Sequence, residues 1–143
     1  MGAGCLFFDQ HGNFMLVKPT YKLGWEIPGG GVEHNESPKQ CCIREIQEEL
    51  GLEQKIGELL VVDYNSETEE KTESLMFIFD GGILTPSEIE SIQLGHDELS
   101  EFRFFTTKTL PNDMVNPLRN RVLMAWQQKT QRTHVYLENQ KTA

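Results

Sequence analysis

A helix with both ends marked, inside the stretch GGGVEHNESPKQCCIREIQEELGL, is the feature that most constrains the fold. Ser37 is a favourable N-cap, Pro38 suits the first helical position, and Gln40 completes a capping-box pattern. Gly51 is a residue that commonly ends helices, because it adopts a left-handed backbone conformation without steric cost. The sequence therefore predicts a helix over Pro38–Leu50.

Three glutamates share one face of this predicted helix. Glu45, Glu48 and Glu49 lie at positions i, i+3 and i+4, so their carboxylates project from the same side. Like charges on adjacent turns destabilise a helix unless a positive charge lies among them. Oxygen ligands suit Mg²⁺ and Mn²⁺, and Mg²⁺ keeps waters that a phosphate can replace. The alternative interpretation is a solvated acidic face on which Arg44 pairs locally.

The surrounding residues weaken the interpretation as a solvated face without excluding it. Gly29, Gly30 and Gly31 precede the helix, and glycine lets the backbone come close to a ligand. A loop carbonyl from this run is a further candidate metal ligand. We expect a different face of the helix to pack in the core through its apolar residues, which are Ile43, Ile46 and Leu50.

The same stretch resembles the Nudix box, G-x5-E-x7-R-E-U-x-E-E-x-G-U, in which U is aliphatic. Every interval is kept by Gly30, Glu36, Arg44, Glu45, Ile46, Glu48, Glu49, Gly51 and Leu52. The flanking stretches WEIPGG and HDELSEFRFF are similar to the entry strand and the later acidic loop of that family. The resemblance to MutT-like Nudix hydrolases implies an α/β (α+β) fold, an α/β/α sandwich with a mixed β-sheet.

The resemblance also implies a metal centre. Glu48 and Glu49 are expected to bind the metal directly, and Glu45 is expected to bind it through water or to act as the general base. A carbonyl of Gly29 or Gly30 is expected to complete the ligand set. The implied cofactor is Mg²⁺, for which Mn²⁺ can substitute in such enzymes.

Two further roles follow from the family pattern. Arg44 is expected to orient a neighbouring glutamate, and Glu36 to pair with Arg44. Some family members take their general base from a later loop, and there Glu98 is the best candidate in this chain. Asp97 and Glu101 lie beside it and are better interpreted as solvated loop acids.

The implied activity is hydrolysis of the diphosphate linkage in a nucleoside diphosphate joined to another moiety. Markers of the other subfamilies are missing, so the leading hypothesis is a nucleoside triphosphate diphosphatase that releases the monophosphate and diphosphate. An ADP-ribose or nucleotide-sugar diphosphatase is the alternative. A non-catalytic nucleotide sensor is more distant, because such a protein is expected to lose acids of the box.

Substrate contacts are expected from the loop before the box. Lys18 and Lys22 are candidates for phosphate contacts, and Tyr21 for stacking on a base. Trp25 is either the second half of a base sandwich with Tyr21 or a core residue, and we favour the core because large aromatic side chains mostly act through burial.

Composition limits the remaining possibilities. The 143 residues suit a single domain over 1–143, and the net charge of −9 argues against a nucleic-acid polymer as partner. Three cysteines are too few for a disulfide framework, so Cys41 and Cys42 are expected to pack. A cytoplasmic protein without membrane contact is expected, and a homodimer is left open.

The rest of the chain predicts mostly strands. The predicted strands are Cys5–Asp9, Asn13–Lys18, Trp25–Ile27, Lys55–Tyr64, Glu73–Asp80, Ser91–Leu94, Glu101–Thr106 and Thr133–Glu138. A second helix is predicted over Pro117–Gln128, where apolar residues recur at helical spacing.

Overall fold

A mixed β-sheet with helices on both faces makes up the computed structural model, which describes residues 1–95 and 97–143. His96, the first residue of the HDELSEFRFF stretch, lies outside the described residues. The helices are α1 (Pro38–Leu50), α2 (Pro86–Glu90) and α3 (Asn116–Gln131). The strands are β1 (Gly2–Phe8), β2 (Phe14–Pro19), β3 (Gly29–Gly31), β4 (Leu59–Asn65), β5 (Ser74–Ile83), β6 (Leu99–Phe105), β7 (Val135–Glu138) and β8 (Lys141–Thr142).

The strand order in the sheet is β6-β2-β1-β5-β4-β7-β8, and β3 pairs with β1 beside this path. β1 is parallel to β5 and β4 is parallel to β7, whereas the other pairs are antiparallel. The mixed sheet between α1 and α3 confirms the predicted fold class. Among the described helices, none has the length and apolar character needed to cross a membrane.

Side chains of β1 alternate between two apolar clusters, one on each face of the sheet. Cys5 and Phe7 pack in the cluster that contains Ile46 of α1. Leu6 and Phe8 pack in the cluster that contains Val122 of α3. Every residue of β1 is therefore buried, as expected for a central strand covered on both faces.

The ends of α1 are confirmed at Pro38 and Leu50. The Gln40 backbone N–H donates to Ser37 Oγ at 3.1 Å, and the Ser37 N–H donates to Gln40 Oε1 at 2.9 Å, which completes the capping box. Gly51 has φ of 66°, the left-handed conformation that ends the helix.

The predicted apolar face of α1 needs one correction. Ile46 and Leu50 are fully buried, but Ile43 is 45% exposed. At about 100° per residue, Ile43 lies just beyond the face that contacts the sheet. Cys41 and Cys42 occupy that face instead, and the prediction that they pack is confirmed.

The strand predicted over Ser91–Leu94 is wrong, since this segment is irregular chain after α2. The Gln93 N–H donates to the Leu50 carbonyl at 2.9 Å, so the segment bonds to the end of α1 rather than to a strand. α2 was missing from the prediction, although Thr85 and Glu88 form a capping box that marks its start.

The strand predicted over Trp25–Ile27 is also wrong, because only Glu26 makes a bridge there, to Val17. The strand lies instead at Gly29–Gly31, for which no strand was predicted. Glycine is usually depleted in strands, and β3 forms here because β1 supplies its hydrogen-bonding partner.

Other bounds shift by a few residues. β1 begins at Gly2 rather than Cys5, β4 begins at Leu59 rather than Lys55, and α3 runs on to Gln131. The last predicted strand corresponds to β7, and β8, which follows it, was not predicted from the sequence.

Candidate active site

The three glutamates of α1 differ in depth because each points in a different direction around the helix. At about 100° per residue, Glu49 turns furthest toward the sheet, Glu45 lies at the edge and Glu48 faces outward. Glu49 is 7% exposed, whereas the side chains of Glu45 and Glu48 are 13% and 49% exposed. The inner pair is therefore Glu45 and Glu49.

Glu98 joins this inner pair from a distant part of the chain. One carboxylate oxygen each of Glu45, Glu49 and Glu98 can be chosen so that all three lie within 4.8 Å of one another. Two backbone bonds dock the preceding segment on the end of α1: Gln93 N–H to the Leu50 carbonyl, and Gly95 N–H to the Glu49 carbonyl at 3.0 Å. These bonds use carbonyls that the end of a helix leaves unpaired.

The glycine strand β3 closes the other side of the acidic cluster. The Gly29 N–H donates to Glu49 Oε1 at 2.8 Å. A Cβ at Gly30 would lie 2.5 Å from Glu45 Oε1, and a Cβ at Gly29 would collide with the Ala3 carbonyl oxygen. Only glycine lets this backbone pass so close to both the helix and β1.

Arg44 ties the loop before α1 to the acidic face. Its Nε and Nη2 donate to the two carboxylate oxygens of Glu36 at 2.7 and 3.0 Å, so the expected Arg44–Glu36 pair is present. Nη1 donates to Glu45 at 2.9 Å and to Glu48 at 3.4 Å, and Nη2 donates to the Gly31 carbonyl at 3.2 Å. The Arg44 guanidinium holds the pKa of Glu36 at about 2.

Electrostatics at the inner pair disfavour negative charge. Burial raises the pKa of Glu49 to about 8; the Gly29 N–H opposes this shift, and the charges of Glu45, Glu98 and Glu48 add to it. Burial also raises the pKa of Glu45. The acids lie near the negative end of the helix dipole, and the last turn of α1 contains no basic residue.

This donor set fits a divalent cation. It offers carboxylate oxygens from α1 and from the loop before β6, arranged closely enough to share one ion, and oxygen ligands are those that Mg²⁺ and Mn²⁺ prefer. A bound cation would relieve the repulsion among Glu45, Glu49 and Glu98, whereas the Arg44 contacts found in the described chain reach Glu45 but neither of the other two.

The raised pKa of Glu49 predicts a pH dependence of stability in metal-free protein. The folded chain binds a proton at Glu49 up to about pH 8, whereas an ordinary glutamate loses it near 4.5. The free energy of unfolding should therefore fall as the pH rises from 5 to 8, by about 1–3 kcal/mol. Urea unfolding with a chelator present measures this slope. Glu49→Gln should flatten it, and an equally steep slope in that variant would contradict the assignment.

A cleft of about 960 Å³ begins at this site and crosses the sheet toward β4. By register, Gly2 lies opposite Gly31 and Gly4 opposite Gly29, and all four glycines line the cleft. The side chains of Met76 and Ile27 cover Gly2 and Gly4, whereas a Cβ at Gly31 would meet no atom within 4 Å. Glu49 lines the same cleft, so its floor is continuous with the acidic cluster.

The predicted substrate residues occupy different positions. Tyr21 and Lys22 line the cleft; Tyr21 is 72% exposed, and Lys22 forms an ion pair with Glu26. Lys18 is not among the residues lining the cleft, and its Nζ lies 5.7 Å from the centre of the Trp25 ring.

Trp25 belongs to the core, as favoured from the sequence. It is 6% exposed, and its ring packs edge-on against Phe105 with 5.2 Å between centroids. This burial argues against a base sandwich between Tyr21 and Trp25.

A set of polar residues at the far end of the cleft was not predicted from the sequence. Arg121 of α3, Asn65 of β4 and Gln140 line it there, and all three contact Asp63 or one another. The available signal was Asp63 itself, an acid placed on the same strand face as the core residue Val61.

Comparison with known proteins identifies relatives over most of the chain. The NUDIX domain family model matches residues 1–127. Diphosphoinositol polyphosphate phosphohydrolase 2 of Mus musculus is 33% identical over 101 residues, which are 65% of this chain and 52% of that protein. The chain thus spans about half the length of the curated relatives it matches.

Two solved structures share the fold. A UDP-X diphosphatase superposes with a TM-score of 0.77 at 23% identity, covering 96% of this chain and 66% of the other. A MutT NUDIX hydrolase from Burkholderia pseudomallei superposes with a TM-score of 0.70 at 21% identity, covering 89% and 95%. At these identities the likeness shows the fold alone.

Proposed function

The chain belongs to the NUDIX family, and on that premise we propose that it is a divalent-metal-dependent hydrolase that cuts a diphosphate linkage in a nucleotide-like substrate. The observation that carries this proposal is the cluster of Glu45, Glu49 and Glu98 at one end of a nucleotide-sized cleft. Such a cluster can hold the cation, and the cleft can hold the group attached to the diphosphate.

The proposed role of each residue follows from its position. Glu45, Glu49 and Glu98 hold the cation, and Glu48 approaches it from the solvent side. Arg44 positions Glu45 through its 2.9 Å hydrogen bond. When bound, Mg²⁺ supplies charge neutralisation at the phosphate oxygens and lowers the pKa of a coordinated water. A carbonyl of Gly29 or Gly30 is proposed as a further ligand.

Glu98 is proposed as the general base. Its side chain is exposed and forms no hydrogen bond or ion pair within the described part of the chain, so one carboxylate oxygen can contact the cation while the other accepts a proton from water. Glu45 is the competing candidate, but its carboxylate already accepts a hydrogen bond from Arg44 Nη1 at 2.9 Å.

For the substrate, we propose a nucleoside triphosphate that is cut to the monophosphate and diphosphate. A nucleotide sugar or ADP-ribose is the second candidate, favoured by the fold shared with the UDP-X diphosphatase. A diphosphoinositol polyphosphate fits the cleft poorly, because two of the three cationic residues that line it are already paired. Lys22 pairs with Glu26 and Arg121 with Asp63, and the third is Lys71.

A substrate panel tests this proposal. Nucleoside triphosphates, ADP-ribose, nucleotide sugars and a diphosphoinositol polyphosphate are incubated with Mg²⁺, with Mn²⁺ and with chelator. We expect metal-dependent release of monophosphate and diphosphate from the triphosphates. Release of AMP and ribose phosphate from ADP-ribose instead would favour the second candidate. No turnover of any substrate, together with a nucleotide-induced rise in Tm, would contradict the hydrolase and support the alternative of a non-catalytic nucleotide sensor.

A further inference from the structure

A buried carboxylate organises the far end of the cleft. Asp63 is fully buried, and its two oxygens accept three hydrogen bonds from two residues. Arg121 Nε donates to Oδ2 at 2.9 Å, Gln140 Nε2 donates to Oδ2 at 3.0 Å, and the Gln140 backbone N–H donates to Oδ1 at 3.0 Å. The charge of Arg121 is therefore balanced by Asp63.

Asn65 fixes the same two side chains a second time. Its Oδ1 accepts from Arg121 Nη2 at 3.2 Å and from Gln140 Nε2 at 2.7 Å. Because Gln140 faces two acceptor oxygens, its amide nitrogen must point at them and its Oε1 must point away. Arg121 and Gln140 consequently lie side by side in one defined orientation.

This arrangement leaves donors and an acceptor for a ligand. Within the described residues, Arg121 Nη1 makes no hydrogen bond and Gln140 Oε1 accepts none. Every fully buried side-chain nitrogen or oxygen in that part of the chain has a hydrogen-bond partner, so these two unpartnered atoms are accessible. Both residues line the cleft. The far end presents guanidinium N–H groups beside one amide oxygen.

The distance between the two ends of the cleft suits a nucleotide. By strand register, Gly31 lies opposite Gly2, Gly2 opposite Met76, and Met76 opposite Asp63. Three steps between neighbouring strands separate the glycine strand from the polar cluster by about 14 Å. A nucleotide whose diphosphate lies at the acids would place its base at Arg121 and Gln140.

We propose that Arg121 and Gln140 recognise the base and select a 6-oxopurine, guanine or hypoxanthine; this inference rests on the proposed function. Along its edge such a base presents N7 and O6 as acceptors and then N1–H as a donor, which complements a guanidinium beside an amide oxygen. Adenine presents a donor between two acceptors and does not match. A neutral base suits the site better than a phosphate, because Asp63 already neutralises Arg121.

The first test uses the unaltered protein, so it does not depend on a variant that folds. In kcat/KM, the triphosphates of guanosine and inosine should exceed those of adenosine and 2-aminopurine riboside by about tenfold or more. The 7-deaza analogue of GTP should be cut more slowly than GTP. Calorimetric binding of GMP, IMP and AMP, with a chelator present, should give the same order without any hydrolysis.

Two variants locate the selectivity. Arg121→Lys keeps a positive charge near Asp63 but loses the planar guanidinium with its several N–H donors. Gln140→Asn shortens the side-chain amide, and asparagine tolerates the positive φ of 63° at that position. Each should reduce the guanosine-to-adenosine ratio to about threefold or less. Arg119→Lys is the matched control, since Arg119 lies on the same helix and donates to the Pro111 carbonyl.

The outcomes separate this inference from the proposed function. Metal-dependent hydrolysis with no base preference, or with adenine preferred, would overturn the inference and leave the hydrolase intact. Preferential binding of GMP and IMP without any hydrolysis would support the inference and overturn the hydrolase. A preference for guanosine that survives unchanged in both variants would overturn the inference as well, because base recognition would then lie elsewhere in the cleft.

Discussion

Replacing Glu49 with glutamine is expected to lower kcat/KM by roughly 10³-fold, because it removes the most buried carboxylate of the proposed cation site. Glutamine is nearly isosteric with glutamate, and its Oε1 can still accept the 2.8 Å bond from the Gly29 N–H. The fold should therefore persist, and the raised pKa of Glu49 implies that the metal-free variant is at least as stable at pH 8. Steady-state kinetics with the best substrate, together with urea unfolding, separates the two effects.

Glu53→Gln is the matched control for this experiment. Glu53 follows α1 closely, is exposed and lies outside the acidic cluster, so its replacement should change kcat/KM by less than about twofold. If Glu49→Gln and Glu53→Gln lose similarly little activity, Glu49 does not hold the catalytic cation.

The second large effect is expected from Gly30→Ala. The added methyl would lie 2.5 Å from Glu45 Oε1, so the carboxylate must move. Because that carboxylate ends a flexible side chain, the movement should change the free energy of unfolding by less than about 1 kcal/mol. A displacement of about 1 Å in a catalytic group can lower the rate by about 10²-fold, which is the loss we expect in kcat/KM.

Gly31→Ala controls for the loss of glycine in the same strand. A Cβ at Gly31 meets no atom within 4 Å, so this variant should lose clearly less activity than Gly30→Ala. Comparable losses in both variants would mean that the strand needs glycine for reasons unrelated to Glu45. Full activity in Gly30→Ala would show that the Glu45 carboxylate need not stay where the structure places it.

Local signals explain how much of α1 could be predicted. The caps at Ser37, Gln40 and Gly51 act within one turn of the helix, so both helix ends followed from neighbouring residues alone. The family pattern likewise depends on fixed intervals along the chain, and the family model now supports it. Neither signal depends on tertiary contacts.

Which of the acids turn inward to form the cluster could not be predicted in the same way. Spacing placed Glu45, Glu48 and Glu49 on one side of α1, but which carboxylate turns inward depends on how the helix sits on the sheet. The approach of Glu98 depends on backbone bonds from Gln93 and Gly95 to the end of α1, which no local pattern marks.

The misplaced strand and the polar cleft residues that were not predicted share a physical cause. Gly29–Gly31 looks like a turn by composition, and it becomes a strand only because β1 pairs with it. Arg121 illustrates the same limit, since its pairing with Asp63 joins residues far apart in sequence.

Mn²⁺ binding in the absence of substrate, followed by electron paramagnetic resonance, decides whether the acidic cluster is a cation site. The wild-type protein and Glu53→Gln should bind Mn²⁺ with the same affinity, whereas Glu45→Gln, Glu49→Gln and Glu98→Gln should each weaken binding by about tenfold or more. Equal affinity in all five proteins would contradict the proposed metal centre, because the three carboxylates would then not form the cation site.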